Sequence, residues 1–372
     1  MREHLAITTA VGAAALLGAA VVAGVARGDD DRSEDRQGAF QVTNLVSNIP
    51  NLAKVTDHNT VNPWGAAFIP GEALWVADNG SHALTVYSLN PKDMPQVGKL
   101  VVKLSPQDNT WAPTGLVWNP SPNQFFLPNT KFPATFIAVS EGGQIVGWNA
   151  NANPPDPVGL SLATVIKTNA GGVYKGAAFG TNPEGSFIFV TNFRAAKVEA
   201  YDTNFTEVTR FPFIDRDIPS GFAPFGIENI CGELFVTFAK QDKAKEDDVA
   251  GPGLGFVDVF TTSGKLVRRF ATRGTLNAPW GLARAPLSFG KFGGAILVGN
   301  FGDGKMNAFG NHGEFLGQLR ARNGKTITID GLWALKFGGF KGAEPEDLYF
   351  TAGIHDEKDG LIGDISPVPG RN

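Results

Sequence analysis

The sequence predicts an all-β fold, a six-bladed β-propeller built of four-stranded antiparallel blades. Three observations predict it: a turn that recurs along the chain, short apolar strands between the turns, and one strand near the N-terminus that has no repeat of its own. Each copy of the turn ends in a glycine, and these glycines lie about 50 residues apart, a spacing typical of propeller blades. The glycines are Gly65, Gly115, Gly176, Gly226, Gly281 and Gly331.

The predicted strands follow each turn in order. Each is a short apolar or alternating run bounded by Gly, Pro, Asn or Asp, as strands in an antiparallel blade are. They are 64–69, 73–77, 84–88 and 96–104 in blade 1; 115–118, 135–139, 144–148 and 163–166 in blade 2; 176–179, 187–191, 198–201 and 207–211 in blade 3; 225–229, 234–238, 255–260 and 265–270 in blade 4; 277–283, 294–300, 305–309 and 315–319 in blade 5; and 331–337, 348–351 and 361–365 in blade 6.

The sixth repeat lacks a fourth strand, and the segment 40–46 supplies one. That segment alternates between apolar and polar residues, as a half-buried strand does, and it precedes the first turn. Because an unpaired sheet edge invites association with other chains, we expect the N-terminal strand to pair with the last blade and close the ring. The predicted propeller therefore runs from 40 to 366, followed by a short tail at 367–372.

The composition fits one repeat domain and excludes some classes of partner. The 372 residues include 46 Gly and 24 Pro, which indicates many turns, while 28 Phe and 7 Trp supply a core. The formal net charge is −4 and the Lys and Arg residues are dispersed, so the sequence predicts no nucleic-acid partner. Cys231 is the one cysteine, and its apolar setting predicts a buried, inert thiol.

The N-terminal segment predicts that the protein functions outside the cytoplasm. An uncharged run rich in Ala, Val and Leu covers 5–25, and small residues precede Arg27. Residues 1–27 are therefore either a cleaved signal peptide or an uncleaved anchor. Either one predicts a periplasmic or extracellular protein, and a membrane is a partner only if the segment is not cut. Residues 28–39 are charged and polar, which predicts a disordered linker.

Two stretches carry a resemblance to a known family. Leu74-Trp75-Val76-Ala77-Asp78-Asn79 on a second strand resembles NHL-type repeats, and Gly299-Asn300-Phe301-Gly302-Asp303-Gly304-Lys305 is the most specific match. From about residue 40 to 365 the chain is similar to an uncharacterised bacterial family of secreted six-bladed propellers. The resemblance implies the fold and secretion, and it implies no particular activity.

Blade geometry gathers polar residues on one face, here named the loop face. It carries the loops that lead into each first strand and the loops that join second and third strands. Among its residues, His58 and His355 are not repeat-equivalent, and their blades, 1 and 6, are neighbours in the ring. We therefore expect a ligand site there. Its candidate residues are Asp57, His58, Asn59, His82, Arg194, His355 and Asp356.

A metal-binding site is a second interpretation of the polar residues on this face. Imidazole and carboxylate groups can ligate Zn²⁺, and carboxylate and amide oxygens suit Ca²⁺. The candidate ligands are His58, His355, Glu228, which lies on an inner strand, and Asn300. Asn300 equally fits structural bonding, because Asx residues recur after second strands and often bond to nearby backbone.

Two functions follow from these residues. The first is an extracytoplasmic propeller that binds a small molecule, a glycan or a protein partner on the loop face. The alternative is a metal-dependent hydrolase or lyase, lactonase-like, that uses Ca²⁺ or Zn²⁺ on the same face. No nucleophile or phosphate-loop motif is visible in the sequence.

Overall fold

Six sheets form a ring in the computed structural model, which describes residues 38–105 and 110–369. The predicted six-bladed propeller is therefore confirmed. The predicted signal or anchor at 1–27 and the linker up to residue 37 lie outside the described residues. No helix among the described residues is long and apolar enough to cross a membrane.

The strands of blades 1 to 5 lie in chain order from the axis outward, whereas the outer strands of blade 6 come from the N-terminal part of the described chain. Their bounds are Pro63–Phe68, Leu74–Asp78, Ala83–Ser88, Gln96–Val97 and Val101–Lys103 in blade 1; Pro113–Trp118, Phe136–Ser140, Gln144–Trp148 and Thr164–Thr168 in blade 2, with Leu160–Leu162 added to blade 1; Tyr174–Asn182, Gly185–Asn192 and Lys197–Tyr201 in blade 3; Phe222–Ile230, Glu233–Lys240, Gly255–Thr261 and Leu266–Thr272 in blade 4; Pro279–Arg284, Ile296–Asn300, Met306–Phe309 and Phe315–Gln318 in blade 5; and Leu332–Phe337, Leu348–Ala352, Leu361–Pro367, Phe40–Ser47 and Val55–Thr56 in blade 6. One 3-10 turn, Gly290–Phe292, precedes the second strand of blade 5.

The N-terminal strand closes the ring as predicted. Phe40–Ser47 pairs antiparallel with Leu361–Pro367, in a register that runs from Phe40 opposite Pro367 to Ser47 opposite Leu361. Val55–Thr56 extends the same sheet in parallel. The edge of blade 6 is therefore covered by the beginning of the described chain.

Blade 3 departs from the prediction because its fourth strand, expected at 207–211, does not form. Only one bridge, between Tyr201 and Glu207, continues the sheet. Beyond it the chain leaves the edge so that Phe211 and Phe213 pack on Phe187 and Phe189. Burial of two aromatic rings has outweighed the hydrogen bonds of a further strand.

The recurring glycine is required where neighbouring inner strands approach each other. A Cβ added at Gly65, Gly115, Gly226 or Gly281 would collide with a backbone atom of the next blade. Gly331 differs, because it has a positive φ of 59° and would meet Gly353 of its own blade. Gly331 therefore does not make the contact between blades that the other glycines make, and in blade 6 Trp333 takes the place that Trp280 has in blade 5.

Aromatic rings fill the axis at its loop-face end. Trp64 stacks on Trp333 with ring centroids 3.5 Å apart, and Phe301 stacks on the other side of Trp333 at 4.0 Å. Trp280 meets both tryptophans edge-on, and Phe225 meets Trp333 in the same way. We call these five residues the aromatic plug.

Candidate functional site

The predicted residues that lead into blade 1 fall into a buried and an exposed group. Asp57 is buried beneath the loop, and it accepts hydrogen bonds from the Tyr87 hydroxyl at 2.8 Å and from the backbone N–H of Asn59 at 3.0 Å. The side-chain amide of Asn59 donates to the same carboxylate at 3.1 Å. Asp57 and Asn59 therefore fix the loop, and His58 between them is exposed.

His355 and Asp356 lie in the adjacent loop of blade 6. The two loops touch, since the backbone N–H of Asn62 donates to the Asp359 carbonyl at 3.3 Å. The His355 ring is largely exposed and contacts the Asp359 carboxylate at 3.0 Å. Asp356 is almost fully exposed and lies 3.5 Å from the Lys358 ammonium. The structure thus brings these loops together, with both histidine rings on the solvent side.

His82 and Arg194 tie neighbouring loops together. A ring nitrogen of His82 lies 2.9 Å from the Trp111 carbonyl oxygen. Arg194 forms an ion pair with Glu246 and lies 3.5 Å from the Gly171 carbonyl oxygen. Both residues lie on the loop face, as expected from the blade geometry.

The four candidate metal ligands are not brought together. Glu228 lies near the far end of its inner strand, where its carboxylate pairs with Lys336 at 2.6 Å. Asn300 is fully buried and donates to the Thr275 carbonyl at 2.8 Å and to the Asp303 carboxylate at 3.0 Å. Residues 38–105 and 110–369 contain no group of three His, Cys, Asp or Glu side chains arranged to hold a metal. A metal role for these residues stays a prediction.

A different set of polar groups converges on the axis at the loop face. We call it the lysine–carboxylate cluster. It comprises Asn62 and Asn79 from blade 1, Glu141 from blade 2, Lys175 from blade 3, Asp247 and Asp248 from blade 4, and Glu357 from blade 6. The cluster lies directly over the aromatic plug, because Lys175 Nζ is 5.0 Å from the ring centroid of Trp64.

Lys175 is the central cation of the cluster. Its side chain is only 2% exposed, and its ammonium pairs with Glu141 and, at 3.2 Å, with Asp247. Burial opposes the charge of this ammonium, but the two carboxylates outweigh burial and raise the pKa of Lys175 above its usual value. The lysine is therefore charged at neutral pH.

Asparagines of blade 1 hold two of the carboxylates in place. The Asn62 amide donates to Glu357 at 2.6 Å, while its oxygen accepts from the Trp333 indole N–H at 3.0 Å. The Asn79 amide donates to Glu141 at 3.0 Å. Burial, with repulsion from Glu141, raises the pKa of Glu357. The plug and the cluster are thus one hydrogen-bonded unit.

Asp248 is the carboxyl group of the cluster with unused hydrogen-bonding capacity. One of its oxygens is buried and has no hydrogen-bond partner among the described residues. Burial raises the pKa of Asp248 to about 7, with Glu357 adding to the rise and Lys175 opposing it. At neutral pH this carboxyl can therefore donate or accept a proton.

The sequence contained one signal for this cluster. The residue before the repeated glycine is Trp64, Thr114, Phe225 or Trp280 in four of the other copies and Asp330 in the weak sixth copy, whereas blade 3 has Lys175 there. A lysine at a position that is otherwise largely aromatic departs from the repeat, and such departures mark special roles. The acidic members lie in irregular loops, where no periodicity gives their position.

The inner strands surround a central channel along the axis, and the aromatic plug closes its loop-face end. The other end opens on the face that carries the turns between first and second strands, here named the hairpin face. A cavity of about 570 Å³ lies there, lined by the ends of the inner strands and by the pair Glu228–Lys336. Cys231 lines its rim and is exposed, so the predicted buried thiol is wrong. The tight turn at Cys231, with a φ of 56°, holds the residue outside the sheet.

Comparisons of the whole chain connect it to viral proteins. No protein-family model matches it. Two uncharacterized proteins of Acanthamoeba polyphaga mimivirus are 32% and 30% identical to it over 335 and 337 residues. The alignments cover 88% of this chain in both cases, and 80% and 85% of the two relatives. The predicted membership of a bacterial family is therefore wrong, whereas the six-bladed fold predicted with it is right.

Solved structures support the fold. A streptogramin B lyase superposes with a TM-score of 0.52 at 12% identity, covering 88% of this chain and 97% of the lyase. A putative gluconolactonase gives 0.50 at 15% identity, covering 84% and 91%. A Bacteroides thetaiotaomicron protein of unknown function gives 0.53 at 8% identity, covering 88% and 76%. At these identities the likeness is one of fold.

Proposed function

The chain belongs to the family of the two uncharacterized mimivirus proteins, and we propose that it is a binding protein whose lysine–carboxylate cluster holds a small ligand. The ligand class that fits the cluster carries an amine or several hydroxyl groups. The observation that supports this proposal is the convergence of charged side chains from blades 2, 3, 4 and 6 at one point on the axis.

Closing the ring does not require this convergence. Adjacent blades are joined by inner-strand backbone and apolar packing, as the close approach at Gly65 and Gly281 illustrates. The Lys175 ammonium contacts two of the four carboxylates, Glu141 and Asp247. One oxygen of Asp248 is buried and has no hydrogen-bond partner among the described residues. Buried acceptors without partners are costly, so amine or hydroxyl donors from a ligand would stabilise the cluster.

Access to the cluster is consistent with binding. Asp247 covers Lys175 from the loop side, and its own side chain is 74% exposed. An ion pair with so exposed a partner contributes little stability. A ligand amine can therefore take the place of the Lys175–Asp247 contact at small cost and reach the unpartnered oxygen of Asp248.

Thermal shift with an amino sugar tests the proposal. Glucosamine offers both hydroxyls and an amine, with glucose and spermidine as probes that offer one group each. At ten times its Kd, a ligand stabilises the folded state by about 1.4 kcal/mol, which raises Tm measurably. Asp248→Asn and Glu141→Gln should remove the shift.

The matched control is Glu184→Gln, which removes an ion-paired carboxylate from the hairpin face. It should keep the full shift. If none of the three probes shifts Tm in the unmodified protein, or if all three variants behave alike, the cluster is not the binding site.

The second candidate function is acid–base catalysis at the same place, as in a lyase or lactonase. It is favoured by Asp248, whose pKa of about 7 suits a general acid or base, beside the Lys175 ammonium that can stabilise a developing negative charge. The fold shared with a streptogramin B lyase and a putative gluconolactonase agrees with this candidate. A metal-dependent form, with Ca²⁺ or Zn²⁺, requires Lys175 to withdraw from Glu141, since its ammonium now lies against that carboxylate.

Turnover separates the two candidates. The protein is incubated with glucono-1,5-lactone or with a streptogramin B, with and without EDTA, and ring opening is followed by chromatography. Ring opening that Asp248→Asn abolishes supports catalysis, and its loss in EDTA supports the metal-dependent form. No ring opening under any condition leaves the binding function as the one supported.

We also propose that the propeller works outside the cytoplasm, on the strength of the apolar run at 5–25. Expression of the full chain in a bacterial host, followed by fractionation and N-terminal mass analysis, tests this. A product found in the periplasm or medium and cut near residue 27 indicates a signal peptide. An uncut product in the membrane fraction indicates an anchor, and a cytoplasmic product contradicts the proposal.

A further inference from the structure

The cavity on the hairpin face is a blind funnel with apolar walls. Every blade contributes the end of its inner strand. The walls include Phe68, Val117, Phe179, Ile230, Leu282 and Phe337. At about 570 Å³ it has the size of typical small-molecule sites, which are mostly apolar with a few fixed polar groups. Towards the axis it narrows to a space of about 20 Å³ beside Trp280, a member of the aromatic plug.

The charged groups of the funnel differ in how they are paired. Glu228 and Lys336 neutralise each other at 2.6 Å in the wall. Arg284, at the end of the inner strand of blade 5, is exposed at the rim. Its guanidinium lies 2.8 Å from Cys231 Sγ and has no carboxylate partner among the described residues. The lining therefore holds two cations and one anion, with the unpaired cation at the mouth.

A guanidinium binds a carboxylate or sulfonate by two parallel hydrogen bonds, and a thiol is a poor substitute for these. From the cavity and this unpaired charge, we propose that the hairpin-face mouth binds a small anionic amphiphile. The acidic head of the ligand pairs with Arg284, and its apolar body lies in the funnel between the inner strands. This site is separate from the lysine–carboxylate cluster, because the aromatic plug lies between them.

The position of Cys231 provides a direct readout. It is the one cysteine of the chain, it is exposed, and it lines the rim beside Arg284. A ligand head on Arg284 covers the sulfur and slows its alkylation. Decanoate, used below its critical micelle concentration, is the anionic probe, and 1-decanol is the neutral probe of the same chain length.

The experiment measures the rate of N-ethylmaleimide addition to Cys231 by mass spectrometry over a range of probe concentrations. The quantity compared is the ratio of rates with and without probe within each variant, because a change at Arg284 alters the surroundings of the thiol itself. Decanoate should slow alkylation at least tenfold at saturation. In Arg284→Gln its apparent Kd should rise about tenfold, and 1-decanol should be weaker than decanoate by a similar factor.

The matched control is Arg210→Gln, which removes an arginine that does not line the cavity and that pairs with Glu184 instead. It should protect Cys231 as the unmodified protein does. Three results would overturn the inference: no protection by decanoate, equal protection in Arg284→Gln, or equal protection by 1-decanol. Far-UV circular dichroism of each variant establishes that the propeller is intact.

Discussion

The two ends of the channel are built from the same six inner strands, yet they differ in almost every property. At the loop face, the residues before the repeated glycines include Trp64, Trp280 and Lys175, and they close the axis with rings and charge. At the hairpin face, the residues after those glycines include Leu116 and Leu282, and they leave an open apolar funnel. The glycines between them allow the inner strands to approach closely, because a Cβ there would collide with the next blade.

The comparison shows which features belong to the architecture and which belong to the site. Close contact between inner strands recurs in several blades, so we assign it to the architecture of the ring. The charges of the cluster do not recur: a lysine precedes the repeated glycine in blade 3 only, and Asp247 with Asp248 come from an irregular loop of one blade. Charged residues that occur in one blade and not at the equivalent positions of the others are therefore the strongest structural indication of a functional site.

The largest expected effect on stability comes from the inner-strand glycines, which lie between the loop-face end and the hairpin-face end of the channel. Gly226→Ala places a Cβ against the backbone carbonyl of Trp280, an atom that cannot move without shifting blade 5. We expect a loss of roughly 3 kcal/mol in the free energy of unfolding, measured by urea denaturation. The control Gly142→Ala, at an exposed loop position with only side-chain atoms nearby, should change it by less than about 0.5 kcal/mol. Equal effects of the two would show that strand contact does not hold the ring.

A smaller loss in the free energy of unfolding is expected when Lys175, the cation of the loop-face cluster, is removed. Lys175→Met leaves Glu141 and the partly buried carboxyls of Asp248 and Glu357 without their counter-charge. We expect a destabilisation of about 2 kcal/mol at pH 7, reduced from the value for a fully buried pair because Asp247 and Glu141 are partly exposed. Lys336→Met, the corresponding change in the open funnel, should cost less, since water reaches Glu228 there. A larger cost for Lys336→Met would reverse the contrast between the ends.

The fold was predictable from the sequence because it depends on repetition. The period gave the number of blades, and the strand at 40–46, without a repeat of its own, gave the ring closure that pairs Phe40 with Pro367. The missing fourth strand of blade 3 was not predictable, since burial of Phe211 and Phe213 depends on which rings lie beneath them.

The site was predictable only in part. Blade geometry predicted the loop face, on which the proposed lysine–carboxylate cluster also lies, and it placed the loops of His58 and His355 beside each other, as the contact between Asn62 and Asp359 shows. It did not give the direction of side chains, so buried Asp57 and exposed His58 were grouped together. The paths of the loops that bring Asp248 and Glu357 to the axis are set by tertiary contacts, and no local pattern encodes them.

The buried carboxyl of the loop-face cluster predicts a pH effect on stability. Because the pKa of Asp248 is about 7 in the folded state and near 3.9 in an unfolded chain, the folded state binds more protons between these values. Its contribution is therefore favourable below about pH 4 and is lost as pH rises to about 7. Asp248→Asn should reduce the fall in the free energy of unfolding between pH 4 and pH 7.5 by about 1 kcal/mol, measured by urea denaturation at each pH. Asp364 lies at the ring closure and is also buried, with a pKa of about 7. Its contribution to the pH dependence of stability remains in Asp248→Asn. An unchanged pH slope in Asp248→Asn would mean that this carboxyl is solvated.

The smallest effect is expected from the histidines at the rim of the loop face. His58 is exposed and its ring forms no hydrogen bond with the described part of the chain, while the largely exposed ring of His355 contacts only Asp359 through its side chain. The double variant His58→Ala, His355→Ala should change the free energy of unfolding by less than about 1 kcal/mol, since surface substitutions away from special features change it little. It should also leave the thermal shift with glucosamine in place, because neither ring belongs to the lysine–carboxylate cluster. If the double variant instead removes that shift while Asp248→Asn keeps it, the ligand binds at the rim between blades 1 and 6, and the axis carries structure alone.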